Sequence, residues 1–267
     1  MQIYDVNGNV YDGYSFSGKS IITFGDGITS EDGKTYAGET VKGYQGYLRD
    51  AGFTVTNAGI SNACITYHAG DPTDICETVH DTSCTGYDYV MIAGGVNDFR
   101  LASSPMGELT DSDFDSGTFI GALQFIIEKI VNDNADAKIF FVTPLLCDGW
   151  NTPNSLGYTL TNYSDAIKYV AAKYAIPVLD FTSVAGINDK NIGVLTRDGV
   201  HPKNTGFQLL SSKLMSFVNS LNTGSENTER GIATFDELME TLNAEDNNIA
   251  STFEVMIALG IEEDEEE

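Results

Sequence analysis

The stretch Ser20-Ile21-Ile22-Thr23-Phe24-Gly25-Asp26-Gly27-Ile28-Thr29, residues 20–29, decides the fold. Its first half is a run of apolar and β-branched side chains with no polar alternation. That is the composition of a short strand buried on both faces, and so of a central strand in a parallel sheet. Gly25 ends the run. The Gly-Asp-Gly turn that follows occupies the kind of strand-to-helix connection at which open parallel sheets collect their ligands.

Outward from this strand the same punctuation recurs. Residues 1–18 form a turn-rich lead with NGN and DGY breaks. Downstream, Val41, Tyr44, Tyr47, Leu48 and Ala51 fall at helical spacing, and Gly52 supplies a left-handed stop. Residues 53–57 read as a second strand. Asp71-Pro72 reads as the N-cap and first-turn proline of a short helix carrying Ile75 and Val79. Residues 87–93 give a third strand, and Phe119, Leu123, Ile126, Ile127 and Ile130 a long helix that starts at Asp115 or Ser116. Residues 138–143 are a fourth strand and residues 176–181 a fifth, separated by a helix bearing Tyr163, Ile167, Val170 and Tyr174. Phe207, Leu210, Leu214, Phe217 and Leu221 line a last helix from about Asn204. Strands alternating with helices predict parallel βαβ units, hence an α/β domain with one doubly wound sheet of about five parallel strands and helices on both faces.

The expected organisation is a lead at 1–18, the α/β domain at 19–222, a polar linker at 223–230 and an acidic helical tail at 231–267. The tail holds two short amphipathic pieces, around Phe235, Leu238, Met239 and Leu242 and around Phe253, Met256, Ile257 and Leu259. Such a small appendage buries too little to stand alone. It should dock on the domain, pair with another chain or stay mobile, and residues 231–260 are the surface through which any oligomer or partner contact is expected.

The formal charge is −25 over 267 residues. Residues 226–267 carry 14 acidic groups against Arg230 alone, and the remainder of the chain is acidic as well. Polyanions would be repelled, which excludes nucleic acid and an anionic membrane surface as default partners. No apolar run approaches the roughly 20 residues of a membrane span, and MQIYDVNGNV lacks the basic and apolar regions of a signal peptide. The expectation is a soluble chain in the cytoplasm or on a virion. Cys64, Cys76, Cys84 and Cys147 show no CxxC spacing and read as plain thiols, Cys76–Cys84 being the pair to watch for a bridge. His68 and His80 with Cys76 or Cys84 match no zinc spacing, so no metal is expected.

Four polar clusters fall at strand ends or before the last helix. They are Gly25-Asp26-Gly27-Ile28-Thr29, Asn57-Ala58-Gly59-Ile60-Ser61-Asn62, Gly94-Gly95-Val96-Asn97-Asp98 and Asp198-Gly199-Val200-His201-Pro202. In order and content, over about residues 19–221, they resemble the blocks of the SGNH/GDSL hydrolase family. The resemblance implies a flavodoxin-like three-layer α/β/α sandwich and hydrolysis of esters, either lipid and aryl esters or acetyl groups on sugars. It implies Asp198 orienting His201 as general base, and an oxyanion hole from the Gly27 and Asn62 backbone and the Asn97 amide, where one donor is worth about 3 kcal/mol. Asp26 and Asp98 are supporting residues, Asp98 holding its loop together. No cofactor is implied.

Two departures matter. The glycine that ends the family's second block is here Asn62, which tolerates left-handed dihedrals and keeps its N–H. The family's Gly-Asp-Ser is here Gly25-Asp26-Gly27, so the nucleophile position carries no hydroxyl. Thr29 and Ser30 are nearby but turned away, and read as helix N-terminal capping residues. Trp150, Tyr158 and Tyr163 either form a stacking rim for a sugar or simply pack. Two accounts stay open. One is an SGNH-type esterase or carbohydrate O-deacetylase whose serine has been replaced, acting on a small ester or acetylated carbohydrate. The other is a pseudoenzyme that binds an acylated glycan or serves as a structural module in a virion or its tail.

Overall fold

The apolar run at residues 20–25 lies at the heart of the sheet in the computed structural model, which describes residues 16–68 and 73–223. In chain order the elements are β1 (Ser20–Gly25), a 3-10 turn (Thr29–Glu31), a two-stranded ribbon of β2 (Thr35–Tyr36) and β3 (Glu39–Thr40), α1 (Tyr44–Asp50), β4 (Thr54–Gly59) and α2 (Ile75–Asp81). Then come β5 (Tyr89–Ala93), α3 (Val96–Leu101), α4 (Phe119–Asp133), β6 (Lys138–Val142), α5 (Leu160–Lys173), β7 (Val178–Leu179), α6 (Phe181–Val184), α7 (Ile192–Leu195) and α8 (Asn204–Thr223). The main sheet is parallel in the order β4-β1-β5-β6-β7. This is the flavodoxin-like arrangement, with the strand order reversing at β1.

Alternation along β1 feeds two cores. Ile22 and Phe24 pack with Ile75 and Val79 of α2, Leu123 and Ile126 of α4 and Ile167 of α5. Ile21 packs on the other face with Leu48 of α1 and Phe207, Leu210 and Leu214 of α8. The expected three-layer α/β/α sandwich of five parallel strands is therefore present. Among the described residues no helix is long and apolar enough to cross a membrane.

The edges depart from expectation. The second strand runs Thr54–Gly59, later than residues 53–57, and is largely exposed as an edge strand. The fifth is only Val178–Leu179, because Pro177 offers only its carbonyl, to Phe141, and Asp180 turns the chain by binding Thr143 and Ser183. The long helix starts at Phe119, not Asp115 or Ser116. Thr118 is the cap, accepting from the Gly121 N–H, while Asp115 closes the preceding turn through Gly117 and Thr118. For α2 the N-cap is Asp74; the Asp71-Pro72 start lies outside the described residues, as do most of the lead, the linker beyond Thr223, and the tail. All four cysteines are buried and none is in a disulfide, so Cys76 and Cys84 form no bridge.

At the carboxyl end of β1, Gly25 lies beside Gly59 of β4 and Ala93 of β5. A Cβ on Gly25 would stand 2.0 Å from Thr29 Oγ1 and 2.5 Å from the Ala93 carbonyl oxygen. The backbone carbonyl cannot step aside. Gly25→Ala should therefore lower the free energy of unfolding by roughly 1–3 kcal/mol or more. Urea titration reads this directly, and a midpoint equal to the parent's would refute the close approach.

Candidate active site

Asp198 and His201 meet by local turn chemistry. Asp198 Oδ1 accepts the backbone N–H groups of Val200 at 3.1 Å and His201 at 2.8 Å, and Gly199 between them takes a φ of +79°. Asp198 Oδ2 then lies 2.7 Å from His201 Nδ1. With Nδ1–H toward the carboxylate, Nε2 presents its lone pair to the loop after β1. Partial burial pushes the Asp198 carboxyl up, but the His201 and Val200 contacts outweigh it and hold Asp198 below the usual carboxylate range.

Nε2 faces Gly27. A Cβ built there would lie 2.9 Å from Nε2 and 3.9 Å from the Asn62 backbone nitrogen. Gly27 itself is not among the positive-φ glycines, so its backbone would accept a side chain; only the imidazole stands in the way. Asn62 adopts the left-handed region at φ +65°, as its place in the motif required. Asn97, on α3, donates from Nδ2 to the Ala63 carbonyl at 2.9 Å, which leaves the second amide hydrogen for another acceptor. Gly27, Asn62, Asn97 and His201 line one cleft of about 280 Å³. The residues brought together are those the four clusters nominated.

A clamp absent from the sequence reading holds the histidine loop in place. Glu31, 3% exposed, pairs with Arg197, which lies 166 residues away in the chain. Tyr36 donates to Glu31 at 2.7 Å, and the Arg197 guanidinium carbon lies over the Tyr36 ring, 4.0 Å from its centre. Arg197 also donates to the Pro202 carbonyl at 3.0 Å. Asp26, Ile28, Val96 and Val200 of the same clusters complete the cleft wall with Arg100 and Leu101, which were not nominated. Arg100 lies three residues after Asn97 on the same helix, so helical spacing could have flagged it.

Asp98 is buried and takes the Ile65 N–H at 2.8 Å, the Thr66 N–H at 3.1 Å and the Thr66 hydroxyl. It ties the loop after β4 to α3; burial still raises its carboxyl above the ordinary value. Asp26 is also buried, and its Oδ1 accepts the Ile28 N–H at 2.9 Å. Burial outweighs that bond and the nearby His201, and pushes the Asp26 carboxyl up to about 7.

The neighbouring hydroxyls are engaged elsewhere. Thr29 is hydrogen-bonded to Tyr44, and Ser30 donates to the Gly27 carbonyl at 2.9 Å instead of capping a helix. Trp150 donates to Asp189 at 2.8 Å, and Tyr158 packs edge-on against the buried Tyr163, so these three are packing groups and none lines the cleft. The cysteine near His68 is Cys64, not Cys76 or Cys84. With Asp74 these residues bring one ligand atom each within 4.8 Å of one another.

The GDSL-like lipase/acylhydrolase family model matches residues 23–209. Among solved structures, a Lactobacillus plantarum protein is similar at 26% identity, covering 76% of this chain and 98% of its own, with a TM-score of 0.65. A lipase/acylhydrolase from Enterococcus faecalis shares the fold at 22% identity, 76% and 96% coverage and a TM-score of 0.55. A variant of an acetyl-xylooligosaccharide esterase from Geobacillus stearmophilus does so at 21% identity, 75% and 94% coverage and a TM-score of 0.51. A search of curated proteins found no match.

The raised Asp26 carboxyl makes a stability prediction. Its ordinary value is 3.8 and its folded value about 7, so the folded state holds the proton more tightly. The stabilisation is complete below pH 4 and is lost as pH rises through 7. Asp26→Asn keeps an acceptor for Ile28 without the buried charge. Its thermal midpoint should gain on the parent's between pH 5 and pH 8, and a difference that stays constant with pH would rule out the shift.

Proposed function

Because the chain belongs to the GDSL-like lipase/acylhydrolase family, we propose that its cleft binds a small ester or acetylated carbohydrate and that Asp198 and His201 are the remaining two members of a serine triad. Gly27 stands at the nucleophile position. The Asn62 N–H and the Asn97 amide are the oxyanion donors. The observation that carries the reading is the approach of His201 Nε2 to 2.9 Å from the point where a Gly27 side chain would begin.

In this arrangement the acyl-enzyme route is closed, since among the described residues no hydroxyl lines the cleft beside Nε2. What remains is binding and slow turnover. His201 takes a proton from water as the water oxygen bonds to the acyl carbon, and the proton passes to the departing alkoxide. Loss of a triad nucleophile costs about six orders of magnitude in kcat elsewhere. The pseudoenzyme account differs only in assigning biological weight to the binding.

Gly27→Ser tests both accounts. The imidazole must retreat by a few tenths of an ångström to admit the new side chain, so recovery will be partial. The expected result is a rise in kcat/KM on p-nitrophenyl acetate of roughly 10²-fold or more, which His201→Ala then removes. Equal rates in the parent and the serine variant, across aryl esters and acetylated sugars, would refute the assignment.

A further inference from the structure

Three residues outside the cleft form a second relay. His68 Nδ1 lies 3.0 Å from Asp74 Oδ2, and the same oxygen accepts the His68 backbone N–H at 2.6 Å. Asp74 is 2% exposed, so the ring is held against a buried carboxylate at a fixed angle. With Nδ1–H directed at Asp74, the Nε2 lone pair faces outward and meets two hydroxyls, Ser103 Oγ at 2.8 Å and Ser104 Oγ at 3.0 Å. Ser104 is nearly buried while Ser103 is exposed, so Ser103 is the hydroxyl an outside reactant can reach.

The backbone next to these serines is also suited to the chemistry. Ala102 leaves α3 in the left-handed region at φ +47°, which takes the following N–H groups out of the helix ladder. Among the described residues, neither the Ser103 nor the Ser104 backbone N–H donates a hydrogen bond. Two consecutive free N–H groups beside a hydroxyl are the donors that a developing oxyanion needs.

We propose that Ser103, His68 and Asp74 form a second nucleophilic centre, independent of Gly27, that accepts acyl groups from small, sterically open esters. The Ser103 oxygen bonds to the acyl carbon as its proton passes to His68 Nε2. That proton goes to the departing alkoxide, and water repeats the sequence to release the carboxylic acid. Cys64, His68 and Asp74 also bring one ligand atom each within 4.8 Å of one another, and the EDTA arm of the test separates a metal site from the relay.

The test is labelling of the full chain with an alkyl fluorophosphonate, with the adduct located by peptide mass spectrometry. Gly27 has no hydroxyl to label, so the readout is separate from the turnover that tests the cleft. The expected result is one adduct at Ser103 that survives EDTA. It should disappear in Ser103→Ala, an exposed position whose truncation leaves the fold intact, and form roughly 100-fold or more slowly in Asp74→Asn. Absence of an adduct, an adduct at another residue, a rate unchanged by Asp74→Asn in a variant with the parent's circular dichroism, or loss of labelling with EDTA would each overturn the proposal.

Discussion

The cleft depends on a buried ion pair between two loops at opposite ends of the sequence. Glu31 follows the turn after β1, and Arg197 precedes the loop that carries His201. Glu31 is the buried member, and removing Arg197, whose side chain is 22% exposed, would leave that carboxylate without its charged partner, a loss of up to about 3–5 kcal/mol for a fully buried pair. Here the cost falls on geometry as well as stability, since Arg197 also holds the Pro202 carbonyl and its backbone N–H bonds the His201 carbonyl at 2.8 Å. Tyr36 completes the clamp by offering its hydroxyl to Glu31 and its ring face to Arg197. The imidazole therefore reaches Gly27 through contacts that make no use of a nucleophile.

That independence explains how the Asp198–His201 pair can stand intact beside a residue without a hydroxyl. Asp198 is aimed by the N–H groups of its own turn, and the turn is aimed by the clamp. Nothing in the Gly27 backbone calls for glycine. The buried Asp26 next to it is a second consequence: with a carboxyl raised to about 7, it is only partly ionised at neutral pH. It therefore adds less negative charge beside the cleft than its composition suggests, in a chain already at −25.

The centre of the fold was legible in the sequence and its margins were not, for a physical reason. β1, β5 and β6 are buried on both faces, so their composition alone announces them. β4 and β7 are edge strands whose limits are set by turn contacts such as Asp180 with Thr143, which no local pattern shows. Helix starts failed in the same way: the sequence offered Asp115 or Ser116 for α4, but the Thr118 hydroxyl takes the Gly121 N–H and caps the helix. Within the cleft, the short-range pairing of Asp198 with His201 could be read from three-residue spacing. The Glu31–Arg197 pair could not, because two unremarkable charges 166 residues apart carry no mutual signal.

The two imidazoles differ most in the burial of their carboxylates. Asp198 is 53% exposed at its side chain and Asp74 is 3% exposed, while the rings are alike at 30% and 29%. A carboxylate shielded from water interacts more strongly with a developing imidazolium than one that water screens. The His68 contact is the longer of the two, 3.0 Å against 2.7 Å, so shielding and distance act in opposite directions on the two pairs. His201 faces a glycine and His68 faces a hydroxyl. The shielded carboxylate thus lies at the site where a hydroxyl meets the imidazole.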